Sequence, residues 1–274
     1  MDDIFKEIVK ISAEGGQAAL ATVISVAGSA PREEGARMLI REDGSILGTI
    51  GGGRLEAEVR REAMAIMNED KARILHFDLT GRESAEEGMI CGGVTDIFLE
   101  PIITEPTLYI FGGGHISFFI ARIAKMTGFK VVVIDDRAEF ANRERFPEAD
   151  EVIARELPTV FKDLKIGKSA YIVIVTRGHL SDEEVLEWAV KTEARYIGMI
   201  GSQNKTKTVL SHLRDKGIPE SMLKRVYAPI GLDINAETPE EIAVSIMAEV
   251  IKVRRSAAEG SPKASHQCQG GAPP

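Results

Sequence analysis

Leu108-Tyr109-Ile110-Phe111-Gly112-Gly113-Gly114-His115-Ile116-Ser117 is the stretch whose reading decides the fold. Leu108 to Phe111 reads as a short buried strand, and Ile116 to Met126 as a helix. Glycines between a strand and a helix let the backbone turn tightly and approach a pyrophosphate. The helix N-terminus then offers free N–H groups and the positive end of its dipole. Ser117 takes the place of the usual third glycine and is still small. The next strand, Lys130 to Ile134, is β-branched and ends at Asp135, about 20 residues on, where an acid is able to hold a ribose hydroxyl. Strand, helix and acid together point to a dinucleotide-type loop. The other reading is a tight turn in a Rossmann domain that has lost its ligand.

Working toward the C-terminus, the rhythm continues. Ala170 to Val175 with the helix Asp182 to Lys191 makes a second unit, and Tyr196 to Ile200 with the helix Asn204 to Lys216 a third. Such alternation predicts a parallel sheet with helices on both faces. A final helix is expected from Pro239 to Arg255, started by Thr238-Pro239-Glu240-Glu241. Ser256 to Pro274 is small, polar and rich in Gly and Pro, and is expected to be disordered.

Four groups fall just after expected strands: Gly112-Gly113-Gly114-His115, Asp135-Asp136-Arg137, Thr176-Arg177-Gly178-His179 and Gly201-Ser202-Gln203-Asn204-Lys205. Ligands of open α/β sheets bind outside the carboxyl ends of the strands, so these loops are expected to line one crevice. Each also has a plain reading. Asp135-Asp136-Arg137 suits a solvated turn, Ser202 a helix cap, Lys205 a solvent-facing charge, and His115 and His179 rings satisfied by backbone carbonyls.

Working toward the N-terminus, the pattern changes. Asp2 to Glu14 places Ile4, Phe5, Ile8, Val9 and Ile11 on one helical face. Ala18 to Val26 reads as a strand. Met38 to Arg41 and Ile46 to Ile50 read as a hairpin with Asp43-Gly44 at its tip. A helix from Leu55 to Met67 and strands near Arg73–Leu79 and Val94–Glu100 complete a small α+β domain with an antiparallel sheet. Pro101 and Pro106 bracket a linker. The expected organisation is an N-terminal α+β domain over 1–104, a Rossmann-type doubly wound parallel sheet over 105–255, and a tail over 256–274.

This half has glycine loops of its own. Gly51-Gly52-Gly53 opens a helix and is either an anion cradle or the bend that ends a hairpin. Cys91 precedes Gly92-Gly93. It is either a thiolate stabilised by successive N–H groups or a small buried hydrophobe. The second cysteine, Cys268, lies in the tail, so a disulfide is not expected, and two cysteines in 274 residues suit a reducing compartment. A net charge of −8 argues against nucleic acid as a partner. There is no signal peptide pattern, and no apolar run approaches the ~20 residues of a membrane helix. A cytoplasmic protein is expected. No Cys/His cluster with metal-site spacing, no P-loop and no nucleophile elbow is present.

Longer runs carry a resemblance. GSAPREEGARML (28–39), GTIGGGRLE (48–56) and CGG (91–93) resemble the N-terminal domain of the XdhC/CoxI family. LYIFGGGHIS (108–117), VVVIDDR (131–137), RFPEAD (145–150), YIGMIGSQNK (196–205) and PIGLDINAETPEEIAVSIMAE (229–249) resemble its Rossmann domain, so the resemblance spans Ile4 to Lys252. It implies an accessory protein of xanthine dehydrogenase and related molybdenum hydroxylases rather than a turnover enzyme. Such a protein binds molybdenum cofactor, as molybdopterin or its dinucleotide, helps sulfurate it and delivers it to the apo-hydroxylase. The resemblance further implies a cysteine desulfurase partner, a homodimer, and Cys91 near the metal or its labile sulfur. Where many relatives have Thr-His-Asp-His, this chain has Thr176-Arg177-Gly178-His179, keeping only the second histidine. NAD(P) or another nucleotide suits the same glycine loop, so an NAD(P)-dependent oxidoreductase or a nucleotide-sensing regulator is the alternative.

Overall fold

Ile4 and Ile11 recur at helical spacing, and the helix α1 (Asp2–Glu14) lays them against Ala18, Leu20 and Leu39 of a first sheet. The computed structural model describes residues 2–69, 71–79, 93–102 and 105–256. Phe5 and Val9, expected on the same face, point outward and are 46% and 68% exposed. The buried stripe is therefore narrower than the run of apolar residues.

The first sheet contains β1 (Ala18–Ala27), β2 (Arg37–Arg41), β3 (Ile46–Gly48), β4 (Arg73–Asp78) and β5 (Val94–Ile102), in the order β3-β2-β1-β5-β4. Its pairs are antiparallel. Helix α2 (Gly53–Glu69) covers the face opposite α1, burying Leu55, Val59, Ala63 and Ile66 against Ala19, Ala21, Met38, Ile97 and Leu99. The hairpin turn is as expected, with Gly44 at φ +77° and Asp43 accepting from the Ser45 N–H at 2.8 Å. Strand β3 stops short of Ile50, because Gly48 turns at φ +89° with the Arg37 carbonyl where a Cβ would sit.

The second sheet is parallel throughout. It holds β6 (Thr107–Phe111), β7 (Lys130–Asp135), β8 (Glu151–Ala154), β9 (Ala170–Ile174), β10 (Tyr196–Met199) and β11 (Val226–Tyr227), in the order β8-β7-β6-β9-β10-β11. Every residue of β9 is buried, as suits a strand covered on both faces. One face packs on α4 (Leu157–Asp163), α5 (His179–Ala189) and α6 (Gln203–Asp215), through Val160, Leu186 and Val209. The other packs on α3 (His115–Met126) and α8 (Pro239–Ser256), through Ile120, Ala124, Ile246 and Val250. A short helix α7 (Glu220–Leu223) precedes β11. Elements β8, α4, α7 and β11 were not expected from the sequence. Each is seven residues or shorter, below the length at which periodicity speaks.

The chain builds outward from β6 to β7 and β8, then crosses back to β9, β10 and β11. The strand order therefore reverses between β6 and β9, which is where such sheets open a crevice. Among the described residues no helix is long and apolar enough to cross a membrane.

Candidate functional site at the strand-order reversal

The glycine loop after β6 divides its work among three residues. Gly112 turns at φ +112°, and a Cβ there would stand 2.4 Å from the Val175 carbonyl oxygen, so this glycine brings the β6 and β9 loops together. A Cβ at Gly113 would stand 2.5 Å from the Phe140 carbonyl oxygen. Gly114 caps α3 with extended backbone, and nothing lies within 4 Å of where its Cβ would be. Two glycines are thus consumed by packing, and the third faces open space. In the first turn of α3, the Ser117 hydroxyl is buried with no hydrogen-bond partner.

Asp135 closes β7 and is itself closed over. Its carboxylate accepts from the Gly113 N–H at 2.8 Å, the Arg137 N–H at 3.0 Å, and Arg137 Nε and Nη2 at 2.9 and 3.0 Å. Arg137 lies 3.7 Å over the Phe140 ring. Asp136 is exposed and pairs with Arg137 and with Arg177. Burial pushes the Asp135 carboxyl up, but the hydrogen bonds from Arg137 and Gly113 outweigh it and hold the pKa below the ordinary 3.8. A depressed folded-state pKa contributes stability at pH above the ordinary value, lost as pH falls through the folded value. Asp135→Asn is therefore expected to cost about 1–3 kcal/mol at pH 7. The gap from wild type should narrow below about pH 4 in denaturant melts. A gap that stays constant down to pH 3 would show that the charge of Asp135 contributes nothing.

The loops after β9 and β10 are joined by a residue that sequence reading passed over. Asp182, 0% exposed in the first turn of α5, accepts from Thr176 N–H at 3.1 Å and Thr176 Oγ1 at 2.6 Å, and pairs with Lys205 Nζ. Lys205 also reaches the Ile200 carbonyl at 3.3 Å. Ser202 caps α6 by accepting from the Lys205 N–H. Asp182 sits in the run Ser181-Asp182-Glu183-Glu184, which in one dimension looks like any solvated helix start. His115 and His179 are exposed first residues of their helices, and neither ring has a hydrogen-bond partner among the described residues. The loop 228–238, after β11, is held from below. Glu249 accepts from Tyr196 Oη at 2.6 Å and from the Gly231 N–H at 3.0 Å.

The structure thus brings Gly112–His115, Asp135–Arg137, Thr176–His179 and Gly201–Lys205 to the carboxyl ends of β6, β7, β9 and β10, the crest of the parallel sheet. It does not bring Gly51-Gly52-Gly53 there. That loop lies in the first unit, where a Cβ at Gly51 would stand 2.7 Å from Pro31 Cβ. The same cluster takes in Gly93, whose Cβ would stand 2.6 Å from the Ala27 and Ser29 carbonyl oxygens. The anion in this cradle is the protein's own Glu56. It accepts from Thr49 Oγ1 at 2.5 Å, the Gly52 N–H at 2.9 Å and the Ile50 N–H at 3.1 Å. Cys91 lies outside the described residues, and among those described no group of three or more His, Cys, Asp or Glu is arranged to hold a metal.

The first unit meets the parallel sheet at the opposite edge from the crest. Ser169 Oγ, just before β9, donates to the Gly15 carbonyl at 3.1 Å, and Lys168 pairs with Glu42. Gly15 and Glu42 lie at the near end of the first sheet, whereas Gly28–Pro31, Gly51–Gly53 and Gly93 lie at the far end of β1, on the order of 30 Å along the strand. Within one chain the glycine loops of the first unit pack on that unit, around Ala27, Ser29 and Pro31, and not on the crest.

Two family models match the chain. The XdhC Rossmann domain matches residues 108–250, and the XdhC and CoxI family residues 11–78. The chain belongs to the XdhC and CoxI family. It is similar to the Escherichia coli (strain K12) protein YqeB, 34% identical over 259 residues, which cover 94% of this chain and 47% of YqeB, so the chain spans about half the length of that relative. It is similar to a probable xanthine dehydrogenase subunit of Bacillus subtilis (strain 168), 25% identical over 88% of this chain and 94% of that one. It is also similar to the molybdenum cofactor insertion chaperone PaoD of Escherichia coli (strain K12), 22% identical over 94% of this chain and 90% of PaoD. The crystal structure of a xanthine dehydrogenase from Bacillus halodurans superposes with a TM-score of 0.51 at 25% identity, covering 94% of this chain and 97% of that one.

Proposed function

We propose that this protein is an accessory factor that binds molybdenum cofactor, helps sulfurate it, and inserts it into a xanthine dehydrogenase-like molybdenum hydroxylase. The observation that carries the proposal is the crest at the strand-order reversal. There Gly112 and Gly113 are filled by protein, while Gly114 opens on free space at the N-terminus of α3. The names of two relatives, PaoD and the Bacillus subtilis protein, supply the cofactor and the client.

In this reading Gly114 and the unsatisfied N–H groups of the first turn of α3 hold the phosphate end of molybdopterin or its dinucleotide. The bound group supplies the molybdenum centre and its labile sulfur. The chain's own residues bind, orient and shield it, and carry out no turnover. Asp135 and Arg137 set the loop's shape, and His115, His179, Ser202 and Lys205 border the crevice. The far cradle of Gly51, Gly52 and Gly53 takes a ligand anion only by displacing Glu56.

Cys91 is proposed as the sulfur-handling residue, served by a cysteine desulfurase. Because Gly93 packs on the first unit at the far end of β1, a homodimer in which the first unit of one copy faces the crest of the other brings both to one cofactor. The test is maturation of a hydroxylase co-expressed in a host lacking this protein. Wild type is expected to restore active, sulfurated enzyme, and neither Gly114→Val nor Cys91→Ala should. The two variants expressed together should restore about a quarter of the wild-type yield, the share of intact shared sites when copies pair at random in two-fold dimers. Fully active hydroxylase without the protein overturns the proposal. Steady oxidation of a small substrate with NAD(P) by the purified chain favours the dehydrogenase alternative instead.

A further inference from the structure

We infer that Arg145 is the anion-binding arm of the crest, and that the group it takes is a phosphate of the bound ligand. The inference rests on the reading of the glycine loop as the phosphate cradle, and adds the residue that supplies its charge.

Arg145 comes from the segment before β8, 32 residues along the chain from the glycine loop. Its Nε donates to the Gly113 carbonyl at 2.9 Å. That bond uses one of five guanidinium donors and fixes the group against the loop. The Phe140 and Phe146 rings lie 5.7 and 6.0 Å from its central carbon. A hollow of about 130 Å³, lined also by Phe118, Ala121, Arg122, Pro147 and Glu148, borders it.

What this guanidinium lacks is a counter-charge. Among the described residues no carboxylate pairs with it: Asp135 and Asp136 are taken by Arg137 and Arg177, and Glu148, which lines the same hollow, makes no ion pair with it. Its neighbour Arg143 spends its own guanidinium on the Ala149 and Asp150 carbonyls, a structural tie. A half-buried, uncompensated charge beside aromatic rings is costly unless something anionic meets it. A planar fork with donors in hand matches phosphate oxygens two at a time. Gly114, next to the residue Arg145 holds, leaves the approach open.

Binding of inorganic pyrophosphate to the full chain, measured by calorimetry over a range of KCl, tests the assignment. Wild type should bind. Arg145→Gln should bind about tenfold to hundredfold more weakly, the loss expected for hydrogen bonds to a charged group. Its affinity should also fall less steeply with salt. Arg214→Gln, in the last turn of α6 at the end away from the crest, should bind as wild type does. Should Arg145→Gln fail to fold, Arg145→Lys decides: it keeps the charge and loses the planar fork, so its salt dependence should stay while its affinity falls about fivefold or more, and an unchanged affinity overturns the role of Arg145. Undiminished affinity and salt dependence in a folded Arg145→Gln overturn the role of Arg145 while leaving the cradle intact. Wild type that binds neither pyrophosphate nor a nucleotide overturns both.

Discussion

Gly113→Ala is expected to destabilise the protein by about 2–3 kcal/mol, whereas Gly114→Val, a larger side chain one residue on, should leave stability within about 1 kcal/mol. The difference follows from what each Cβ would meet. At Gly113 it is a backbone carbonyl at 2.5 Å, which moves only with the whole segment that follows β7. At Gly114 it is open space, and the backbone there, φ −72° and ψ −170°, suits any residue. For a chain of this size, the Gly113→Ala loss corresponds to a fall of roughly 5–10 °C in Tm. Gly112→Ala should add ~1–2 kcal/mol, since φ +112° is strained for any side chain. Ligand affinity should reverse the ranking. Gly114→Val fills the approach to the first turn of α3 and is expected to weaken nucleotide or cofactor binding roughly hundredfold, about 2.7 kcal/mol. Thermal melts and calorimetry on the same preparations check both. Equal affinity in Gly114→Val would remove the loop from the site.

Asp182→Ala should be the most damaging single polar substitution at the crest. The carboxylate is wholly buried, and three donors from two loops converge on it. Its removal strands the Lys205 ammonium, which is 28% exposed, and leaves the Thr176 N–H without its acceptor. Breaking such a pair typically costs about 3–5 kcal/mol, and the partial exposure of Lys205 places the expectation at the lower end. Removing both partners should hurt less than the sum of the single losses. The double variant Asp182→Leu with Lys205→Met is expected to recover at least ~1 kcal/mol relative to additivity in urea melts. Strict additivity would mean that the two residues act independently. The crest should respond as well, because Asp182 ties the β9 loop to the β10 loop. Ligand binding in folded Asp182→Asn is expected to weaken, and the ligand to dissociate faster.

Much of this was written in one dimension. The apolar runs ending at Phe111 and Ile174, each followed by turn residues and a helix, and the β-branched run ending at Ile134 determined a parallel α/β unit. The Asp43-Gly44 hairpin and the alternation in β4 and β5 determined an antiparallel one. These are local rules of period and turn chemistry, and they operate over a few residues. The glycine loop and its place before a helix were legible for the same reason. The tertiary structure decided everything that depends on distant residues. It set the strand order that makes the β6 and β9 loops neighbours, and it settled which glycine is spent on packing and which is left open. Asp135 became the clamp of its own loop because Gly113 and Arg137 reach it first. Lys205, readable as a free cation, became the partner of Asp182, and the Gly51–Gly53 cradle received Glu56. Arg145, 32 residues from the carbonyl it holds, has no local signature. Pairings across such separations follow from packing two sheets and their helices together, and a residue's spacing from its neighbours does not encode which distant group arrives beside it.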